Sequence, residues 1–298
     1  MSIEFICNDC PRKCSALRNE SISEGICCST SIPFITRAAP HFGEEPCISG
    51  TNGSGAVFFS GCNLRCVFCQ NNQISRSGKI GKPLQREEFR SLLLRLRDTG
   101  VHNINLVTPT HHTRFIADAL EGLDLGIPVV WNSSGYESVE SLKMLDGLVQ
   151  VYMPDFKYAL SDPARKYSSA PDYPEIASAA LAEMYHQRGK YVLDDRGMLL
   201  SGLLIRHLVL PGNSNNSMDT IDFIADSFEP GSVLFSLMGQ YTPMADYPKF
   251  PELSKKLEEN EYALPCHYLT VRKVFDGFTQ EINAAGGEMI PDFDLTGL

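Results

Sequence analysis

Apolar residues in this chain follow two regimes. From residue 54 onward, apolar runs of strand length alternate with stretches of helical period, the signature of successive βα units and a parallel sheet. Strands are predicted at 55–60, 103–108, 127–132, 150–154, 203–210 and 233–238; their near-continuous apolar character suits burial on both faces. The stretch 83–97 carries Phe89, Leu92, Leu93 and Leu96 on one helical face. Similar periods at 114–123, 138–148, 174–188, 218–228 and 251–259 predict further helices, and 190–202 reads as a hairpin inserted before the fifth strand. Six βα units are too few to close an eight-stranded barrel. The expected fold is therefore α/β, a partial (β/α)6 TIM-type barrel over residues 51–298. Residues 1–50, rich in Cys, Pro, Gly and Ser with little periodicity, form a cysteine-rich extension held together by something other than a large core.

In parallel βα architectures the reacting groups stand at the C-terminal ends of the strands. Here those ends read Ser60-Gly61-Cys62, Thr108-Pro109-Thr110-His111-His112, Asn132-Ser133-Ser134-Gly135, Asp155-Phe156-Lys157, Arg206-His207 and Gln240-Tyr241. Asp155 and Lys157, two residues apart on a strand, share a face. Asn132 and Ser133 are equally suited to capping a helix.

Composition narrows the function classes. Lys+Arg 26 against Asp+Glu 36 gives a net charge of -10, with no basic run, which argues against nucleic acid as a partner. No stretch approaches the roughly 20 apolar residues of a membrane span, and no basic-then-apolar leader opens the chain. A cytoplasmic protein is expected. In that reducing setting ten cysteines point to metal or redox chemistry rather than disulfides.

Eight of the ten fall in two groups. Cys62-Asn-Leu-Arg-Cys66-Val-Phe-Cys69 is C-x3-C-x2-C just after the first strand, three soft thiolates able to wrap one iron–sulfur cluster and leave one iron open. Structural zinc with a fourth ligand elsewhere, Cys47 or a histidine, is the alternative. The second group, Cys7-Asn-Asp-Cys10-Pro-Arg-Lys-Cys14 with Cys27-Cys28, suits a tetrahedral zinc or iron site, or a second cluster. Either Cys27 or Cys28 completes it; Gly25 before Cys27 gives that turn more room. Cys47 and Cys266 read as ordinary buried thiols, and His112 and His207 as hydrogen-bonded core residues.

The C-x3-C-x-aromatic-C string, with Phe68 as the aromatic, resembles the signature of the radical S-adenosylmethionine (radical SAM) enzymes. The surrounding Gly55-to-Asn72 string is similar to the pyruvate formate-lyase activating enzyme-like branch, and the resemblance runs from about Cys7 to the C-terminus. It implies that Cys62, Cys66 and Cys69 ligate a [4Fe-4S] cluster whose open iron binds the methionine part of S-adenosylmethionine. Reduction would then cleave the sulfonium to a 5'-deoxyadenosyl radical that abstracts hydrogen from a substrate. Asn132, Ser133 and Ser134 align with the activating enzymes' Asp-Thr-Asn-Gly strand end, and the string from Met153 to Lys157 resembles their Met-Leu-Asp-Leu-Lys. Arg206 matches an arginine near the cofactor carboxylate. The family's Gly-Gly-Glu motif is replaced by Thr108-Pro109-Thr110-His111, leaving the backbone carbonyls of this string or the hydroxyls of Thr108 and Thr110 to accept from the cofactor's amino group. The implied partners are a reducing donor such as flavodoxin or ferredoxin and a substrate. That substrate is a glycyl-radical-type partner enzyme, a peptide, a protein side chain or a small molecule. A protein of another class, a zinc-stabilised scaffold without enzymatic activity, has the same cysteines but is colourless.

Overall fold

The computed structural model describes residues 4–280 and 291–298. The N-terminal segment contains β1 (Phe5–Cys7), β2 (Ala16–Arg18), β3 (Phe34–His41) and the one-turn helix α1 (Pro46–Ser49). Then come β4 (Ser54–Phe59), α2 (Asn72–Ser75), β5 (Lys82–Pro83), α3 (Arg86–Arg97), β6 (Ile104–Val107), α4 (Thr113–Leu120), β7 (Val129–Ser133), α5 (Val139–Lys143) and β8 (Val151–Pro154). The remainder is α6 (Ser161–Ser168), α7 (Tyr173–Arg188), β9 (Val192–Leu193), β10 (Leu199–Leu208), α8 (Ser214–Ser227), β11 (Leu234–Met238), α9 (Glu259–Arg272) and β12 (Gly277–Thr279).

The main sheet has the order β12-β11-β10-β8-β7-β6-β4-β3-β5. Neighbours from β4 to β12 are parallel, while β3 pairs antiparallel with β4 and β5 antiparallel with β3. The six predicted parallel strands are all present, and β12 adds a seventh beside β11. The expected hairpin before the fifth strand is β9 folded onto the start of β10.

Period-two alternation builds two cores from the same strands. Val57, Phe59, Leu106, Trp131, Tyr152, Ile205 and Leu237 face outward into the helical layer. That layer includes α3, whose Gln85–Glu88 capping box fixes its start and whose Phe89, Leu92, Leu93 and Leu96 are buried. The alternate residues Val130, Val151, Met153, Leu204 and Leu234 face inward and meet Cys47 and Ile48 of α1. Helix α1 thus plugs the sheet's concave side at the N-terminal end of its strands, and Asn103 at the foot of β6 donates to the Ile48 carbonyl at 2.7 Å. Further along the same inward rows the residues become polar: Asn132 follows Val130, Asp155 follows Met153, and Arg206 follows Leu204.

Two expectations change. Residues 251–259 form a short 3-10 turn, Pro251–Ser254, and the helix lies further on, as α9, which accommodates Pro265. The segment 1–50 is more regular than its composition suggests: β1 and β2 make a hairpin, and the eight-residue β3 joins the main sheet. No helix among the described residues is long and apolar enough to cross a membrane.

Candidate functional site

The polar ends of the inward rows open into a cavity lined by Cys62, Cys66, Phe68 and Cys69 on one side and by Asn132, Ser133, Ser134, Asp155, Lys157 and Arg206 on the other. Thr108 is on its wall as well. Of the cofactor-site residues predicted from the sequence, only Thr110 is absent from this wall. Its hydroxyl donates to the buried Glu137 at 3.0 Å, because the chain turns into a 3-10 segment after Pro109. The Ser133 hydroxyl also donates to Glu137, at 2.7 Å, as does Trp131 Nε1 at 2.7 Å.

Parallel pairing sets Asp155 beside Arg206. Arg206 donates from Nε to Asp155 at 3.0 Å, from Nη1 to Glu44 at 2.9 Å and from Nη2 to Asn132 at 2.6 Å. Lys157 Nζ reaches the other Asp155 oxygen at 2.5 Å. Two carboxylates and two cations therefore balance in one buried network, as buried charges require. Burial alone would raise the Asp155 carboxyl, but Lys157 and Arg206 outweigh it and hold it below the usual range. Glu45, next in the chain, is pushed up by burial against the pull of Arg206. Tyr173 fixes the strand ends from outside, donating to the Ser134 and Asp155 carbonyls at 2.7 Å. Gly135 makes this approach possible, since a Cβ there would fall 2.5 Å from the Asp155 carbonyl oxygen.

The three thiols of the loop fit a cationic group. Burial pushes the Cys66 thiol up to about 12, while Lys157 pulls it down and the Cys69 and Cys62 charges raise it further. Cys69 is raised by burial and by Cys62. Three thiolates so placed repel one another and are stabilised by a metal. Protein donors aim at the sulfurs: Ser168 Oγ donates to Cys66 Sγ at 3.0 Å and the Leu64 N–H to Cys62 Sγ at 3.4 Å. Cys47 lies instead in the apolar layer around α1, which removes it as a fourth ligand of this loop. The open side of the thiol loop is cavity. Among the described residues no three His, Cys, Asp or Glu side chains are already drawn together as an ion site.

Phe68 packs edge-on against Tyr167 and Tyr241, with ring centroids 6.3 and 6.4 Å apart. Gln240 lines the cavity with its Oε1 buried and unpartnered. His207 is a core histidine: Nδ1–H donates to the Phe156 carbonyl at 2.7 Å, Nε2 faces Ser217 at 2.9 Å, and burial lowers it to about 4. His112 is a core residue against Phe59, as expected, but its ring nitrogens, expected to be hydrogen-bonded, find no partner among the described residues. Sequence reasoning missed Glu44, Glu137 and Tyr173. Glu44 and Glu137 belong to no motif, and the only signal for them is that a buried arginine or a cluster of polar donors needs an acceptor.

Residues 56–179 match the model of the Radical SAM superfamily. The uncharacterized protein MJ0674 of Methanocaldococcus jannaschii is 31% identical over 269 residues, covering 87% of this chain and 73% of that protein. The chain belongs to the radical SAM superfamily, which implies a [4Fe-4S] cluster and S-adenosylmethionine. Among solved structures, Streptococcus suis SuiB superposes with a TM-score of 0.51 at 14% identity over 77% of this chain and 50% of SuiB. SuiB bound to S-adenosylmethionine gives 0.51 at 14%, over 78% of this chain and 51% of SuiB. SuiB bound to its precursor peptide SuiA gives 0.50 at 13%, over 77% and 49%. The chain thus spans about half the length of SuiB, and the likeness is one of fold.

Proposed function

We propose that this chain is a radical SAM enzyme acting in the cytoplasm, with Cys62, Cys66 and Cys69 as the ligands of its four-iron cluster and a polypeptide as its hydrogen donor. The observation that carries the reading is the meeting, in one cavity, of three loop thiols with Asn132, Asp155, Lys157 and Arg206 at the ends of parallel strands. Cys62, Cys66 and Cys69 would hold the cluster, which would supply the one-electron reduction of S-adenosylmethionine that ends in hydrogen abstraction from the substrate.

The chain's own residues prepare that cavity. Asp155, held ionised by Lys157 and Arg206, offers a fixed acceptor for the cofactor's hydroxyl or ammonium groups. Thr108, Asn132 and Ser134 add short polar groups on the same wall, and Phe68 with Tyr241 walls the thiol loop from water. Lys157, whose charge is felt at Cys66 and Cys69, offsets the negative charge that gathers there. A polypeptide substrate is supported by the precursor peptide bound to SuiB, which shares the fold. It is supported also by the resemblance of the 132–135 and 153–157 strings to enzymes that activate glycyl-radical partners. Both kinds of substrate present a polypeptide C–H bond. Flavodoxin or ferredoxin is the proposed electron donor.

The test is anaerobic reconstitution with iron and sulfide, reduction by dithionite, and an assay for 5'-deoxyadenosine. Nucleoside made by the wild type and lost in Cys66→Ala is the expected result. A reduced, fully iron-loaded protein that leaves S-adenosylmethionine intact, with and without peptide, overturns the reading.

A further inference from the structure

The site above leaves the N-terminal cysteines unused, yet four of them line one pocket, though their sulfurs are not drawn together into an ion's coordination geometry. Cys7 ends β1, Cys10 and Cys14 lie on the turn into β2, and Cys27 returns from the following loop to line the same pocket. Gly25 lies beneath two of the sulfurs: a Cβ there would be 3.3 Å from Cys14 Sγ and 3.7 Å from Cys27 Sγ. Cys28 is not part of this lining. Its backbone takes a left-handed turn at φ 56°, and its thiol faces the Ile26 carbonyl at 3.8 Å. Arg18 brings positive charge, donating to Cys7 Sγ at 3.3 Å and to the His111 carbonyl at 2.8 Å. His111 lines the pocket too, buried, with Nδ1 unpartnered. The hairpin behind these thiols has two three-residue strands, too little to stand on hydrogen bonds alone.

We propose that Cys7, Cys10, Cys14 and Cys27 bind a single divalent ion, zinc or iron(II), and that this ion braces the loop carrying Cys62, Cys66 and Cys69. The ion site stands on the four thiols that line one pocket; only the bracing rests on the function proposed for that loop. The brace is Arg12, inside the Cys10–Cys14 turn. Its guanidinium donates to the carbonyls of Asn63 at 2.9 Å and Leu64 at 3.2 Å, both within the thiol loop. It also donates to those of Ser168 at 3.0 Å and Ser169 at 2.6 Å. Ser168 is the residue whose hydroxyl meets Cys66 Sγ. A planar fork with fixed donors suits this task, and lysine would not reproduce it. Tyr136 stacks on the guanidinium, 5.1 Å from its ring centroid. On the other flank, Gly61 abuts the Cys27 segment so closely that a Cβ would fall 2.6 Å from the Cys27 carbonyl oxygen. An ion that pins the 7–14 turn to Cys27 therefore fixes both supports of the thiol loop, and metal binding substitutes for an apolar core.

The decisive measurement is metal content of the full chain purified without oxygen. The Cys62→Ala, Cys66→Ala, Cys69→Ala triple variant, which has no cluster loop to fill, is expected to retain one zinc or iron per chain. Cys28→Ser is expected to retain it in the wild-type background, and Cys27→Ser to lose it. Zinc leaves the triple variant colourless, whereas iron at four thiolates colours it on oxidation. A triple variant without metal, or one holding several irons with sulfide, overturns the single-ion site even if Cys27→Ser does not fold. Loss in Cys28→Ser with retention in Cys27→Ser overturns the ligand set. None of these readouts depends on cofactor cleavage, so they separate from failure of the proposed function. For the brace, Arg12→Gln and Arg12→Lys are compared by electron paramagnetic resonance of the reduced cluster with both metals quantified. A changed spectrum in Arg12→Gln at full metal content, incompletely restored by lysine, is expected; a wild-type spectrum overturns the bracing.

Discussion

Glu44 accepts a hydrogen bond from Arg206 Nη1 at 2.9 Å, although 162 residues separate them. The same carboxylate accepts from Asn105 at 3.0 Å and Asn132 at 3.2 Å, so three inward strand residues converge on one side chain delivered by the segment before α1. Glu44→Ala leaves three donors, one of them charged and buried, short of an acceptor. The expected loss is about 3 kcal/mol, softened by Asp155 remaining on Arg206. It is read as a lower urea midpoint at unchanged slope. A midpoint equal to wild type would remove Glu44 from the network's foundations.

The acceptor at Glu137 makes a pH-dependent prediction. Burial lifts this carboxyl above the ordinary range despite donation from Trp131, Ser133 and Thr110. A raised folded value means the folded protein holds the proton more tightly. Wild type therefore gains stability as pH falls from neutrality toward the ordinary glutamate value near 4.3. Glu137→Gln keeps an acceptor for Trp131 and Thr110 but has no proton to bind. The stability difference between the two should move in favour of wild type between pH 7 and pH 5. Urea unfolding at both pH values measures it, and a constant difference contradicts the assignment. Glu137→Ala, which orphans all three donors, should cost about 3 kcal/mol.

Thr108 is held at φ 61° at the end of β6, a left-handed conformation that a β-branched residue rarely takes. Its N–H donates to the Asn132 carbonyl at 2.8 Å, which fixes the turn. Such a residue stores on the order of 1–3 kcal/mol. Thr108→Gly relieves the strain at some cost in unfolded-chain entropy, and a net gain of about 1 kcal/mol is expected. Destabilisation on thermal unfolding instead would mean that the threonine side chain makes a compensating contact in the cavity wall.

What was legible in the sequence follows from where the information is local. The six parallel strands and the outer faces of their helices repeat apolar residues at fixed periods, so pattern alone located them. The rule that places reacting groups at C-terminal strand ends pointed to the cavity, where every predicted cofactor-site residue meets except Thr110, which the 3-10 turn redirects to Glu137. His112 and His207 at the same ends belong to the core. Helix α1 has four residues and no period, so its role as a plug depends on a sheet it meets only after folding. The helix expected at 251–259 lies further on as α9, where a capping box between Glu258 and Glu261 sets its start and Pro265 is carried inside it. β12 has three residues and pairs only because β11 offers an open edge. At the N-terminal pocket the sequence leans to Cys27 through the room that Gly25 gives, and it is Cys27 that lines the pocket while Cys28 sits in a left-handed turn beside it.

Ser168 offers a test of how the thiol loop is tuned. Its hydroxyl donates to Cys66 Sγ at 3.0 Å and contacts Tyr158 at 2.8 Å, while its carbonyl accepts from Arg12. With Cys66 as the cluster ligand proposed above, a donor aimed at its sulfur stabilises added negative charge and favours the reduced cluster over the oxidised one. Ser168→Ala removes that donor and keeps the backbone carbonyl on which Arg12 rests. The expected result is a more negative midpoint potential at unchanged iron content. One hydrogen bond of on the order of 1 kcal/mol corresponds to about 45 mV for a single electron. Ser168→Thr, which retains the hydroxyl, should restore most of the shift. Potentiometric titration of the three proteins separates the cases: an alanine variant at the wild-type potential would mean that the hydroxyl serves Tyr158 rather than the cluster. A shift shared equally by alanine and threonine would point to packing in α6.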